Sequence, residues 1–159
     1  MSLAVRTAQP SDVDAILEVQ TAAGRSTSDR FRNWASRAVD GGDEHLCVAL
    51  EQGAVLGWAA TRLFRDRQDD APSGHYLMGI TVAPAHRRRG VAAVLVAARL
   101  ELLRRDGAEH AYYFTNARNE ASIAAHRRWR FRELARGAQF RGVPFDGGEG
   151  VLFGAPLAA

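Results

Sequence analysis

The sequence of 159 residues is long enough for one domain with its own hydrophobic core. Its hydrophobic content of 47%, charged content of 25% and formal net charge of +3 are those of an ordinary soluble protein. No apolar run approaches the ~20 residues that cross a bilayer, and the basic residues, all of them arginine, are scattered rather than arranged in a nucleic-acid-binding stripe. We therefore expect a soluble cytoplasmic protein, with one domain over residues 1–159, that binds neither membranes nor nucleic acid.

Hydrophobic periodicity, turn residues and helix caps predict alternating strands and helices along the whole sequence. The predicted elements, in chain order, are a strand at residues 4–8, helices at 12–20 and 28–39, strands at 45–51, 55–64 and 76–82, a helix from 91, a strand at 108–115, a helix at 120–129, and strands at 133–140 and 151–157. Phe31 and Trp34 lie at helical spacing in the second helix, where such aromatics more often belong to a core than to a binding site. Residues 65–74 are polar and predict a mobile loop.

The stretch from the fourth predicted strand, at residues 76–82, to the long helix carries the strongest signal in the sequence. Pro84 ends a strand rich in aromatic and β-branched residues, and Arg87, Arg88 and Arg89 then precede Gly90. A helix that begins after such a glycine leaves its first N–H groups without intrahelical partners, next to the positive end of the macrodipole. The pattern therefore predicts a site for the diphosphate of a ligand.

The residues after Gly90 have apolar side chains at the spacing of an amphipathic helix. Its apolar positions are Val91, Val94, Leu95, Ala98 and Leu102, and its polar exceptions are Arg99, Glu101, Arg104 and Arg105.

At these residues the sequence resembles the GNAT acetyltransferases, the Gcn5-related N-acetyltransferase superfamily. The family signature Arg/Gln-x-x-Gly-x-Gly/Ala is matched by Arg87, Gly90 and Ala92. The resemblance implies an α/β fold, with a central mixed sheet of about seven strands flanked by about four helices and with splayed central parallel strands. It also implies acetyl-CoA as cosubstrate and favours a homodimer.

A second family signature follows at the fourth predicted helix. Its spacing falls on Asn119, Ser122, His126, Arg130 and Phe131. His126 stands where the family usually has its tyrosine acid, and Arg130 stands where it usually has glycine. The second departure suggests a less sharply capped helix.

The resemblance assigns most of the cofactor-binding residues. Main-chain groups of two central-strand residues would hold the pantetheine arm, and the basic loop would hold the diphosphate. Residues of the second signature would contact the pantetheine or the adenosine-phosphate part of the cofactor. The expected cofactor-binding residues are Ile80, Val82, Arg87, Arg88, Arg89, Gly90, Val91, Ala92, Asn119 and Ser122.

The proton donor to the departing thiolate is the least certain assignment. His126 is the first candidate because of its place in the second signature, and Tyr112 or Tyr113 could replace it since alternate strand residues face opposite sides of a sheet. The competing interpretation makes His126 an exposed helix histidine. For the general base, His75, Tyr76 and Glu44 are weak candidates.

The leading hypothesis is an acetyl-CoA-dependent N-acetyltransferase that acts on a primary amine of a small molecule or peptide by direct attack in a ternary complex. The alternative is a non-catalytic acyl-CoA-binding sensor or interaction module on the same fold. Cys47, the one cysteine, lies in an apolar run and is expected in the core. No set of residues has metal-ligand spacing, so no metal site is expected.

Overall fold

The computed structural model describes residues 2–157. The helices in that range are α1 (Val13–Ala22), α2 (Asp29–Ala38), α3 (Val91–Arg105) and α4 (Glu120–His126). The strands are β1 (Ala4–Thr7), β2 (Glu44–Glu51), β3 (Ala54–Phe64), β4 (Gly74–Val82), β5 (His110–Asn116), β6 (Arg132–Gly137), β7 (Gln139–Phe140), β8 (Val143–Pro144) and β9 (Gly150–Pro156).

Seven of these strands form one sheet in the order β1-β2-β3-β4-β5-β9-β6. The pairs β1/β2, β2/β3, β5/β9 and β6/β9 are antiparallel, whereas β4 and β5 are parallel. The parallel register joins His75 to Ala111 and Tyr76 to Tyr112, at the amino-terminal ends of both strands. The predicted mixed α/β fold, with about seven strands and four helices, is confirmed.

The predicted strand at 133–140 is wrong in its second half. It ends at Gly137, and β7 pairs instead with β8 in a separate two-stranded sheet. Arg141 and Gly142 form the two-residue turn between them with φ of 49° and 77°, the backbone that a tight hairpin requires. The segment between the predicted strands at 133–140 and 151–157 therefore contains a short hairpin.

The described residues divide into two compact units, residues 2–62 with 78–99 and residues 63–77 with 100–157. In the first unit, α1 and α2 pack against β2 and β3. The buried core there consists of Ala8, Val13, Ile16, Leu17, Val19, Ala35, Ala38, Leu46, Val48, Trp58 and Ala60. Phe31 and Trp34 pack against this core with ring centroids 5.6 Å from Trp58, as expected of core aromatics.

The second unit has an aromatic core. The ring of Tyr76 contacts those of Phe64 and Phe114, with centroid distances of 5.2 Å and 6.0 Å. The guanidinium of Arg141 lies 4.1 Å from the centroid of Phe64 and donates to the backbone oxygens of residues 66 and 72. This side chain ties the long loop before β4 to the hairpin turn.

The end of α4 differs from the sequence expectation. One 3-10 turn, Arg127–Trp129, follows the helix, and Arg130 then takes a left-handed backbone with φ of 67° and ψ of 25°. This is the conformation in which helices commonly end on glycine. The helix is therefore sharply terminated, and the expected loose cap is wrong, because the arginine adopts the glycine conformation at some strain.

Replacing Arg130 by glycine should relieve that strain. Arg130→Gly is expected to raise the free energy of unfolding by about 0.5–1 kcal/mol, measured by chemical denaturation. The matched control is Arg127→Gly, which places glycine at a right-handed position and should lower stability by about 1 kcal/mol. Equal destabilisation by both changes would contradict the strain assignment.

The buried carboxylate of Asp12 provides a second stability test. It accepts two hydrogen bonds from Arg6, at 2.6 Å and 3.1 Å, and one from the backbone N–H of Gln9 at 2.7 Å. These bonds, those from Arg6 above all, lower the pKa of Asp12 although burial opposes them. Asp12→Asn should therefore cost about 1–3 kcal/mol of unfolding free energy at pH 7.

The sign of the pH dependence follows from the lowered pKa. The contribution of Asp12 is present above the ordinary carboxyl pKa of about 4 and is lost as pH falls through the lower folded value. The stability difference between wild type and Asp12→Asn should thus shrink in acid. Asp14→Asn is the control, since the side chain of Asp14 is largely exposed; a constant difference from pH 7 to pH 2 would refute the assignment.

Candidate active site

In the first unit, β4 leads directly into the predicted diphosphate loop. One 3-10 turn, Pro84–His86, follows the strand, and the backbone is then extended at Arg87 and left-handed at Arg88 and Gly90, with φ of 62° and 82°. The carbonyl of Gly90 accepts the hydrogen bond of Val94 N–H at 3.1 Å, so Gly90 is the N-cap of α3. The N–H groups of the next residues therefore point out of the helix end.

Space at Gly90 is open. A Cβ atom built on this residue would meet nothing within 4 Å, and its positive φ suits glycine. Val91 is buried, which fixes the helix end, while Ala92 is half-buried and small. Gly90 is itself exposed, so the amino-terminal end of α3 is accessible, as a bound anion would require.

A second glycine lets the helix end approach the sheet. A Cβ atom on Gly57 of β3 would lie 2.8 Å from the backbone oxygen of Thr81 and 3.4 Å from Cγ1 of Val91. Only a residue without a side chain fits there. Gly57 therefore holds the first turn of α3 close to β3 and to the end of β4, where Ile80 and Val82 lie half-buried.

The three loop arginines have different surroundings. Arg89 forms an ion pair with Glu51 of β2 and donates to Nδ1 of His86 at 2.8 Å, so its charge is compensated. Arg87 donates through Nε to the backbone oxygen of Val82 at 3.3 Å. Arg88 is exposed. The predicted residues thus lie together on one strand end, loop and helix start. Arg89 differs from the others because its contacts with Glu51 and His86 stabilise the loop itself.

In the second unit, Tyr113 and His126 are brought together. Their rings stack with centroids 4.1 Å apart, and Tyr113 also stacks on Phe153 at 4.9 Å and meets the edge of Phe131 at 4.9 Å. Tyr113 is buried, which raises the pKa of its hydroxyl well above the usual value near 10. Tyr113 is therefore a weak proton donor.

His126 is 3% exposed, so the interpretation of an exposed helix histidine is wrong. Its Nδ1 lies 2.7 Å from the backbone oxygen of Ser122. Because a carbonyl oxygen only accepts, Nδ1 carries a proton, and Nε2 is the nitrogen through which this side chain can exchange a proton.

Asn119 caps the same helix. Its Oδ1 accepts from the backbone N–H of Ser122 at 3.1 Å. The amide oxygen of Asn119 is thus engaged within α4, and its NH₂ group is the part chemically suited to meet an oxygen of a ligand. The second signature therefore builds the first turn of α4 and orients His126 through Ser122.

Tyr112 lies apart from His126 and Tyr113, as alternation along β5 predicts. Its ring contacts Tyr76 at 5.3 Å and stacks on His110 at 6.2 Å. With His110, Phe131 and Leu134 it lines an open groove of about 690 Å³.

The three candidates for the general base differ in their burial and in the hydrogen bonds that they already make. The hydroxyl of Tyr76 is buried, donates to the backbone oxygen of Pro72 at 2.6 Å and has its pKa raised by burial, which makes it unsuited to act as a base. The carboxylate of Glu44 accepts from the indole N–H of Trp34 at 2.7 Å. His75 is half-buried on β4.

Cys47 is fully buried in β2, and burial raises the pKa of its thiol to about 11. The expectation of a core cysteine is confirmed. Among residues 2–157, no group of three or more His, Cys, Asp or Glu side chains could hold a metal ion. In the described part of the chain, no helix combines the length and apolar character needed to cross a membrane.

The burial of one residue in the middle of α3 was not predicted. Arg99, taken from the sequence as a polar exception on α3, is completely buried. The four-residue spacing of Val91, Leu95, Arg99 and Leu103 places it on the buried stripe of the helix, and this spacing is the signal that could have revealed it.

Comparison with known proteins gives the following matches. A model of the acetyltransferase (GNAT) family matches residues 12–131. Two Arabidopsis thaliana proteins described as probable N-acetyltransferases are 40% and 42% identical over 48 residues, which are 30% of this chain and 12% of each relative. The chain therefore matches about one eighth of the length of these relatives.

Solved structures agree over nearly the whole chain. A ribosomal-protein-alanine N-acetyltransferase of Brucella melitensis is similar with a TM-score of 0.74 and 24% identity, over 96% of this chain and 99% of that one. A Salmonella typhimurium protein assigned as an acetyltransferase, solved with its cofactor acetyl-CoA, has a TM-score of 0.74 and 22% identity, over 99% and 95%. These likenesses establish the fold. Because the family match spans residues 12–131, well over half of the sequence, the chain belongs to the acetyltransferase (GNAT) family.

Proposed function

We propose that this protein is an acetyl-CoA-dependent N-acetyltransferase that transfers an acetyl group to a primary amine of a small molecule or peptide. The observation that carries the proposal is the amino-terminal end of α3, where left-handed Gly90 opens a row of backbone amides onto accessible space. Family membership supports the same reaction class. A homodimer and a cytoplasmic location stay predictions from the sequence.

The loop has the chemistry that the diphosphate of acetyl-CoA requires. The amides of Arg88, Gly90, Val91 and Ala92 would bind its oxygens, together with the positive end of the helix dipole. Arg87 and Arg88 add positive charge there, whereas Arg89 is compensated by Glu51. When bound, acetyl-CoA supplies a thioester carbonyl that is open to attack by an amine.

Main-chain groups of Ile80 and Val82 on β4 would hold the pantetheine arm, and Asn119 and Ser122 are proposed to contact the cofactor from α4. The proposed binding groups on β4 are backbone atoms, so their side chains carry little of the specificity. Holding both reactants in register supplies much of the rate enhancement without covalent chemistry by the protein.

The proposed reaction is a direct attack in a ternary complex. The amine nitrogen forms a bond to the thioester carbon, the carbon–sulfur bond breaks, the amine loses a proton and the departing thiolate gains one. Cys47 is unsuited to form an acyl-enzyme, because it is fully buried and its pKa of about 11 keeps the thiol protonated at neutral pH.

His126 is proposed as the proton donor to the thiolate: as an imidazolium it would give its Nε2 proton to the sulfur and be left neutral with its proton on Nδ1. Its Nδ1 proton is held by the oxygen of Ser122 and its ring is fixed by Tyr113, so Nε2 has one orientation. Tyr113 itself is disfavoured by its raised pKa. Tyr112 is the second candidate for the proton donor, since it lies outside the stack of Tyr113, His126 and Phe153. General-acid catalysis of this kind contributes about 10²–10⁴-fold in rate.

The first test concerns the diphosphate site. Gly90→Glu should weaken acetyl-CoA binding, measured by titration calorimetry, by at least about tenfold, because it places a carboxylate among the amides. Gly90→Ala introduces the same backbone strain without charge, and Gly107→Glu adds the same charge at another open, left-handed glycine beyond the far end of α3.

Both controls should weaken binding less than Gly90→Glu does. Equal affinity of Gly90→Glu and wild type for acetyl-CoA would contradict the proposed diphosphate site. Tight binding by wild type without turnover of any amine would favour the alternative of an acyl-CoA sensor.

The second test concerns the acid. His126→Phe preserves an aromatic ring against Tyr113 and should lower kcat for amine-dependent release of CoA thiol by about 10²-fold or more. Tyr113→Phe removes only a hydroxyl and should leave kcat within about a factor of three, well below the general-acid range. A large loss in Tyr113→Phe with little loss in His126→Phe would reverse the assignment. The amine panel should include peptides with amino-terminal alanine, given the similarity to the Brucella enzyme.

A further inference from the structure

We propose that Arg99 is a positioning residue that fixes β4 relative to α3 for binding of the pantetheine arm; the inference rests on the proposed function. Arg99 lies in the third turn of α3 and is 0% exposed. Its Nη1 donates to the backbone oxygens of Ala60 in β3 and Met78 in β4, each at 3.0 Å. Its Nε donates to the oxygen of Leu95 in its own helix at 3.2 Å. One side chain thus links three elements of the first unit.

The contacts do not compensate the buried charge. Every hydrogen-bond acceptor given above is a neutral carbonyl, and within the described residues Nη2 has no hydrogen-bond partner. Burial lowers the pKa of Arg99 to about 10, so the group remains protonated at neutral pH. Burying a charge among neutral acceptors costs desolvation free energy, which offsets much of what the three hydrogen bonds contribute to stability. The guanidinium therefore contributes the attachment of α3 to β3 and β4 more than a net gain in stability.

The positions of its partners indicate that role. Met78 lies two residues before Ile80 on β4, and Ile80 is the first residue proposed to hold pantetheine through its main chain. Arg99 also lies nine residues after Gly90 in α3, about 13 Å along the helix from the proposed diphosphate site. The two groups that would bind one cosubstrate are therefore joined through Arg99.

Neighbouring contacts make this attachment specific. At the other end of the same helix segment, Val91 packs against Gly57, which fixes the start of α3. On β4, a Cβ atom at Gly79 would lie 2.8 Å from Trp58, so the strand next to Met78 is closely packed. With the helix start fixed by packing, Arg99 sets the second point at which α3 holds β4. A displacement of about 1 Å at a site that aligns reactants costs about 10²-fold in rate.

The test compares three variants of the whole chain. Arg99→Met removes the charge and keeps the length, Arg99→Lys keeps a donor, and Val96→Ala removes volume from a fully buried position on the same helix. Each is assayed for thermal unfolding, for the Kd of acetyl-CoA by calorimetry, and for kcat and KM with an amine acceptor.

We expect Arg99→Met to remain folded, with a modest loss of thermal stability because two backbone oxygens lose their donor, and to raise the Kd and KM for acetyl-CoA by about tenfold or more. Arg99→Lys should recover part of the affinity, and Val96→Ala should lose stability without a change in Kd. Wild-type affinity in Arg99→Met, an unfolded Arg99→Met, or an equal loss of affinity in Val96→Ala would each overturn the inference. Failure of the wild-type protein to bind acetyl-CoA would instead overturn the proposed function.

Discussion

The close approach of β3 at Gly57 to the backbone of Thr81 in β4, beside Val91 of α3, is the packing constraint on which the candidate site depends. Because β3 carries no side chain at this point, the first turn of α3 approaches β3 and the end of β4 directly. Gly90 then turns its amides towards open space, and Arg89 braces the loop against Glu51 of β2. A larger residue at position 57 would clash with the backbone oxygen of Thr81 at the end of β4, and β3 or β4 would have to shift next to the proposed diphosphate site.

Two buried arginines hold backbone in the two units. Arg99 binds carbonyls of β3 and β4 in the first unit, and in the second Arg141 binds the oxygens of residues 66 and 72 while its guanidinium lies against Phe64. A planar guanidinium offers five donors in a fixed fork and stacks on rings, which a lysine ammonium does not. The sequence contains no lysine at all, and at these positions arginine is also the residue that the geometry requires.

Local patterns predicted the fold and the loop well, since strand, turn and helix-start chemistry are encoded by neighbouring residues. Gly90 is the clearest case: its place directly before α3 was predicted from the sequence, and the structure adds its left-handed backbone. Features set by distant contacts were missed. The burial of Arg99 depends on carbonyls 39 and 21 residues away, and that of His126 on stacking with Tyr113. Arg130 adopts a left-handed backbone that arginine disfavours, because the path of the chain from α4 into β6 requires that conformation.

Two-substrate kinetics test the central claim, acetyl transfer by direct attack, most directly. Initial rates of CoA thiol release would be measured at several concentrations of acetyl-CoA and of an amine acceptor. The account predicts amine-dependent release with reciprocal plots that intersect, as required when both substrates must be bound before the reaction. Parallel plots, which indicate an acyl-enzyme intermediate, or thiol release that does not depend on any amine, would contradict it.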